Sequence, residues 1–219
     1  MSQKGVHNVP GRLETNTVMD KYDYLRPIPM KNLLFICSLL FAAQAMAAPE
    51  VGQSAPAFTA QNTDGKTVKL SDFAGKVVVL EWYSPDCPFS RKFYSTGKMP
   101  ELQKQVIAQG AVWISINSGG KIADLKSSAA ADHNAASAVI DDADGKLGKT
   151  YGAKTTPHCF VIGKDGKLIY KGAIDSVPSA KSSDIDGATN YVLAAVSAAQ
   201  SGKTPAQTNV KPYGCSVKY

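Results

Sequence analysis

Histidine, tryptophan and cysteine are scarce in this chain of 219 residues, which holds three, two and four of them. No Cys/His spacing suits a zinc site, so no metal is expected. No glycine-rich turn joins an apolar strand to a helix, so neither a nucleotide nor a flavin is expected and the cofactor set is read as none. The formal net charge is +6. The lysines behind it are scattered, with no run and no interleaved aromatics, which leaves a nucleic-acid face without support. No internal repeat appears. No apolar run approaches the ~20 residues that cross a bilayer as a helix, so the chain is not expected to span a membrane.

The apolar run that is present has another meaning. "MKNLLFICSLLFAAQAMAAPE" begins at Met30 with a lysine, an apolar stretch from Leu33 to Ala43, and then Ala45-Met46-Ala47. That order fits a secretory signal peptide over residues 30–47, with a small-x-small cleavage site. Residues 1–29 are polar and without period, and are read as an upstream extension ahead of a start at Met30. The folded domain is expected over 48–203, with a tail over 204–219, in the periplasm or secreted. Cys37 is an apolar residue of the leader. Cys87, Cys159 and Cys215 remain, in a compartment where disulfides persist.

Along the domain, "PAFTAQNTDGKTVKLSDF" alternates around Asp64-Gly65, a hairpin signal. "KVVVLEWY" (76–83) is nearly all apolar, as a strand covered on both faces should be. A helix is expected from about Cys87, faltering near Gly97 and resuming from Pro100 to Gln109. Strands follow at 111–117 and 137–140, with an Ala-rich crossover between them. "GKLGKTYG" reads as a short helix, "HCFVIGKDGKLIYKG" as a hairpin, and 186–203 as a final helix. The tail has no readable period. Parallel βαβ units, an antiparallel pair and a terminal helix make an α/β fold: a mixed sheet covered on both faces.

The residues that carry chemistry stand at the end of the first central strand, in "EWYSPDCPFSRKFY" (81–94). Cys87 lies where the strand stops and a helix starts, flanked by Pro85, Asp86 and Pro88, which suggest an exposed turn. Unpaired N–H groups and the helix dipole favour a thiolate there. Arg91, one turn on and the only arginine after residue 47, is placed to add charge. Ser90 stands where a second cysteine would complete a vicinal pair. It can hydrogen-bond the Cys87 sulfur or cap the turn.

This strand, the Cys-Pro helix start, "DADGKLGKTYGAKTTP" and the closing hairpin resemble the thioredoxin superfamily, in its peroxiredoxin-like (alkyl hydroperoxide reductase/thiol-specific antioxidant) and redoxin branch. The resemblance runs over roughly residues 51–200. It implies a thioredoxin-like mixed β-sheet covered by helices on both faces, with an N-terminal β-hairpin extension. It makes Thr156-Pro157 the Thr–cis-Pro loop that faces the active cysteine and receives an extended partner. Glu81 resembles the buried acid that exchanges protons, although a strand-end glutamate reaching water fits as well. Ser84 resembles the hydroxyl that binds a peroxide oxygen, and is otherwise a turn residue. Leu80 stands where the peroxide motif has proline, and the separate distal arginine is missing. Cys159 reads as a small core residue, and His158 carries no assigned role.

The resemblance also sets Cys215 in the place of a C-terminal resolving cysteine, paired with Cys87 within one chain or between two chains of a homodimer. From Lys203 the extended tail reaches ~40 Å, enough for this. A static Cys159–Cys215 disulfide and a free Cys215 thiol remain open. The expected activity is that of an exported, antioxidant thiol oxidoreductase, with the Cys87 thiolate attacking a peroxide or a disulfide and a partner dithiol as reductant. The alternatives are periplasmic thiol-disulfide exchange on protein disulfides and a non-catalytic binding module. Mass spectrometry of protein expressed in a Gram-negative host is expected to find a mature N-terminus near Ala48; an intact N-terminus would overturn the leader reading.

Overall fold

A run of β-branched residues without polar alternation belongs in the middle of a sheet. In the computed structural model, which describes residues 48–219, Val78–Trp82 forms such a strand, β3, with all five residues buried. The upstream extension (1–29), the leader (30–47) and Cys37 lie outside the described residues. Before β3 stands the expected hairpin, β1 (Thr59–Gln61) with β2 (Thr67–Lys69). The Asn62 side chain closes its turn by accepting from the N–H groups of Asp64 and Lys66.

After β3 come α1 (Pro88–Tyr94), α2 (Lys98–Ala108), β4 (Val112–Ser118), α3 (Leu125–Ala131), β5 (Ala138–Asp142) and α4 (Lys146–Tyr151). The short β6 (Thr155–Thr156) precedes β7 (His158–Ile162) and β8 (Leu168–Gly172), and α5 (Tyr191–Gln200) and β9 (Cys215–Ser216) complete the chain. The five-stranded sheet runs β5-β4-β3-β7-β8. β3, β4 and β5 are parallel, whereas β7 pairs antiparallel with β3 and β8 pairs antiparallel with β7.

The two faces of the sheet follow from strand alternation. Val79, Trp113 and Val161 pack with Phe93 of α1, Leu102 of α2 and Val196 of α5. Leu80, Ile114 and Phe160 point the other way, toward Tyr151 of α4 and Val68 of the hairpin. Each such side chain taken out of water contributes ~1.5–3 kcal/mol. This is the mixed, doubly covered α/β sheet that the sequence predicts. No helix among the described residues is long and apolar enough to cross a membrane.

Two helix boundaries differ from expectation. α2 starts at Lys98, directly after Gly97 in the left-handed region (φ 73°), so Pro100 lies within the first turn, where its missing N–H costs no helical bond. The final helix starts at Tyr191 instead of Asp186, because Asn190 caps it by accepting from the Leu193 N–H at 2.8 Å. The backbone just before it is engaged elsewhere: Thr189 exchanges hydrogen bonds with Ser176.

The tail after Lys203 lacks sequence period yet lies along the domain. Lys171 N–H donates to the Thr208 carbonyl at 3.0 Å, Val210 N–H to Lys171 at 3.1 Å, and Val217 N–H to Lys154 at 3.0 Å. β9 pairs antiparallel with β6, Cys215 opposite Thr156 and Ser216 opposite Thr155. Backbone packs so closely on backbone here that a Cβ at Gly172 (φ 145°) would sit 2.0 Å from the Val210 carbonyl oxygen. Gly172→Ala is therefore expected to push the tail off β8. Hydrogen exchange at the Lys171, Val210 and Val217 amides should accelerate while β3 stays protected; unchanged protection would mean the tail is held by other contacts alone.

Candidate active site

β3 ends against β4, where Tyr83 N–H donates to the Ile116 carbonyl and the Asn117 side-chain amide donates to the Tyr83 carbonyl, both at 2.8 Å. The chain then turns: Cys87 N–H donates to the Ser84 carbonyl at 3.2 Å, and Cys87 becomes the N-cap of α1 with Pro88 following. Pro88 suits that first position, since its missing N–H would have had no helical partner. The expected strand–Cys–Pro–helix junction is thus present. The expected exposure of Cys87 is corrected, because its residue surface is only 2% accessible although Asp86 and Pro88 are exposed. The Thr156 loop and the tail lie beside it. The Cys87 thiol donates to the Thr156 carbonyl at 2.8 Å, and Thr156 pairs with Cys215.

Thr156-Pro157 is a cis peptide bond, and this loop stands beside Cys87 as predicted. Both cysteines line one cavity of ≈ 270 Å³, together with Ser84, Asn117, Lys121 and Lys218. The described cysteines are free thiols. Gly214 (φ 138°) makes the close approach of β9 to β6 feasible, since a Cβ there would lie 2.1 Å from the Thr156 oxygen.

The electrostatics separate the two thiols. Burial pushes Cys87 up, but the Cys215 thiol and N–H, the Thr156 side chain and the Ser90 N–H together outweigh it, and its pKa falls below the ordinary thiol value. The Ser90 N–H acts without forming a full capping hydrogen bond. Cys215 moves the opposite way, to about 11, through burial and then through Cys87, with Lys218 opposing. A thiolate forms first on Cys87, and Cys215 keeps the proton it can share.

The other expected participants are placed differently. Arg91 is exposed, with no side-chain hydrogen bond or ion pair among the described residues; the main influences that lower the Cys87 pKa are Cys215, the Thr156 side chain and the Ser90 N–H. The Ser84 hydroxyl makes no hydrogen bond among the described residues, although the side chain faces the cavity. Ser90 neither bonds the Cys87 sulfur nor caps the turn: among the described residues its hydroxyl is buried without a partner, an arrangement that costs ~1–3 kcal/mol.

Glu81 is buried and does not reach water. Its carboxyl accepts from Trp113 Nε1 at 2.9 Å, Ser115 Oγ at 3.0 Å and the Tyr94 hydroxyl at 2.9 Å. Burial raises its pKa, and these donors together with Gln103 offset part of that rise. No hydrogen bond links it to Cys87 among the described residues. Opposite it on β7, Cys159 is fully buried and pushed well up by burial, Glu81 and Asp175, which keeps that thiol protonated. His158 accepts from Lys154 N–H at Nδ1 (3.2 Å) and is pushed down to about 3 by burial and then by Lys154 and Lys171, so it stays neutral.

Sequence reasoning did not identify Lys92, Asp175 and Tyr213. Lys92 is buried on α1 and paired with Asp175 at 3.5 Å, while Tyr213 donates to the same carboxylate. The tail's aromatics hint at docking, but nothing in the chain announces an ion pair between positions so far apart. Among the described residues, no group of three His, Cys, Asp or Glu side chains is placed to hold a metal ion.

Replacing Cys215 with alanine removes the strongest influence favouring the Cys87 thiolate. Iodoacetamide alkylation of Cys87, read by peptide mapping across pH, should then shift to higher pH than in the native protein. Superimposable profiles would exclude Cys215 as the source of the lowered pKa.

Comparison with known proteins places this geometry in a family. The model for the AhpC/TSA family matches residues 51–171. The thiol-disulfide oxidoreductase ResA of Bacillus thuringiensis subsp. konkukian (strain 97-27) is 33% identical over 129 residues, covering 55% of this chain and 68% of that protein. A crystal structure of a protein from Sinorhizobium meliloti 1021 superposes with a TM-score of 0.65 at 22% identity, covering 79% of this chain and 96% of that one. A protein from Geobacillus kaustophilus does so at 0.63 and 23% identity, over 78% and 92%. These two structures share the fold. Because the family match takes in both the strand that leads to Cys87 and the hairpin that faces it, this chain belongs to the AhpC/TSA family.

Proposed function

We propose that this protein is a thiol–disulfide oxidoreductase whose working pair is Cys87 and Cys215. That it is a thiol-dependent oxidoreductase accords with its family and with the ResA relative. The observation that carries the finer reading is the pairing of β9 with β6, which puts Cys215 beside a Cys87 of lowered pKa. The Cys87 thiolate attacks one sulfur of a substrate disulfide, forming a mixed disulfide and expelling the other sulfur as a thiolate. Cys215 then attacks the Cys87 sulfur, its proton passing to the second departing thiolate. The thiolate expelled first takes a proton from solvent, so the substrate leaves as two thiols and the protein holds a Cys87–Cys215 disulfide. A partner dithiol returns it to the reduced state. The leader-like segment at 30–47 supports placing this chemistry in the periplasm or outside the cell, where disulfide substrates persist.

One observation favours a second electrophile. The tail already occupies the backbone of Thr155 and Thr156, and the ≈ 270 Å³ cavity beside Cys87 admits a small molecule such as a peroxide. There the thiolate attacks one peroxide oxygen, the O–O bond breaks and the departing oxygen takes a solvent proton to leave as water or an alcohol; the thiol of Cys215 then attacks the resulting sulfenic acid, forming the disulfide and releasing water.

Stopped-flow mixing of the reduced protein with a model disulfide and, separately, with hydrogen peroxide tests both. The disulfide is expected to react faster, and non-reducing peptide maps are expected to join Cys87 to Cys215. Cys87→Ser should abolish both reactions. Faster reaction with peroxide would replace the first reading by the second, and a Cys87 inert to both would leave a binding module.

A further inference from the structure

A lysine ammonium has three protons to donate, and removing it from water is costly unless all three find acceptors. Lys92 lies on α1, the helix that begins at Cys87, with its side chain wholly inaccessible. Its Nζ lies 3.5 Å from an Asp175 oxygen, 3.3 Å from the Val177 carbonyl and 3.1 Å from the Tyr213 hydroxyl. Two of these acceptors belong to the segment after β8. The third comes from the tail.

Tyr213 is held from three directions. Its hydroxyl donates to Asp175 while accepting from Lys92, its ring lies 5.1 Å from the ammonium, and Phe89 of α1 meets it edge-on at 5.9 Å. Asp175 is occupied on both oxygens, since the one that takes the tyrosine also accepts from the Val177 N–H at 3.1 Å. Docking of the tail therefore completes the coordination of a buried charge, and undocking leaves one ammonium proton without its partner.

The next residues carry this anchoring to the thiols. Gly214 allows the tail backbone to touch the Thr156 carbonyl, and Cys215 pairs with Thr156. Thr156 in turn accepts the Cys87 thiol. The clamp and the nucleophile share the short helix α1, so fixing Tyr213 on Phe89 and Lys92 fixes Cys215 relative to Cys87.

We propose that Tyr213, fastened by Lys92, Asp175 and Phe89, is a positioning residue that holds the resolving Cys215 against Cys87. The inference rests on the reading of these two cysteines as the working pair. A tail free after Lys203 would present Cys215 only at the effective concentration of a flexible linker, in the millimolar range. The clamp raises that concentration without touching substrate.

The test uses the full chain with Tyr213→Ala and Tyr213→Phe, each equilibrated in glutathione redox buffers, quenched by alkylation and read by mass spectrometry. The Cys87–Cys215 disulfide equilibrium constant against glutathione is expected to fall roughly 10- to 100-fold in Tyr213→Ala. It should fall by a smaller factor in Tyr213→Phe, which keeps the ring and loses the hydroxyl. A purely structural role would lower the unfolding midpoint and leave this constant unmoved, which would overturn the proposal. Should Tyr213→Ala fail to fold, Tyr213→Phe decides by the same criterion. Native protein that never forms the disulfide overturns the pairing and the clamp together. A native disulfide with unchanged constants in the variants overturns the clamp alone.

Discussion

The antiparallel contact of Cys215 with Thr156 is the interaction on which the site depends. It sets a second thiol beside the buried Cys87 and uses the backbone edge next to the cis-proline. Without it the junction of β3 and α1 would present a single cysteine at a turn, with Ser90 where a vicinal thiol would stand. The chain supplies that second thiol from the far end of its sequence. Tyr213 and the glycines at 172 and 214 are the local means by which the tail reaches it.

The contact also makes the pair chemically unequal. Burial raises the Cys215 pKa and the neighbouring Cys87 adds to that rise, while Cys215 together with Thr156 and the Ser90 N–H lowers the Cys87 pKa against the effect of burial. In the proposed reaction the sulfur that ionises more readily attacks and the other resolves. β9 occupies a backbone edge of Thr155 and Thr156 beside Cys87, so an extended chain pairing on that edge would have to displace it. The remaining thiol, Cys159, lies in the core beside Glu81 and stays protonated.

Polar burial elsewhere serves the frame. Glu81 is surrounded by donors from α1, α2 and β4, tying these two helices to the central strands. Lys92 with Asp175 does the same for the segment after β8. Such groups contribute little net stability against apolar replacements, but removing one partner leaves a buried charge exposed to the full desolvation penalty, which locks the arrangement in place.

The apolar run of β3, the turn pairs Asp64-Gly65 and Asp165-Gly166, and the Cys-Pro junction are local signals. From them the sequence alone determined the α/β fold, the order of its elements and the position of Cys87. Their physics acts over a few residues: strand burial, turn conformation and helix starts. The start of α5, the burial of Glu81 and Cys87, the exposure of Arg91, and the Lys92–Asp175–Tyr213 cluster were decided only by the tertiary structure. Each depends on groups brought together from distant parts of the chain, as when Lys92 meets a carboxylate 83 positions away. A periodless tail carries no propensity to read; its conformation comes from the surface it lies on, and that surface exists only once the sheet has formed.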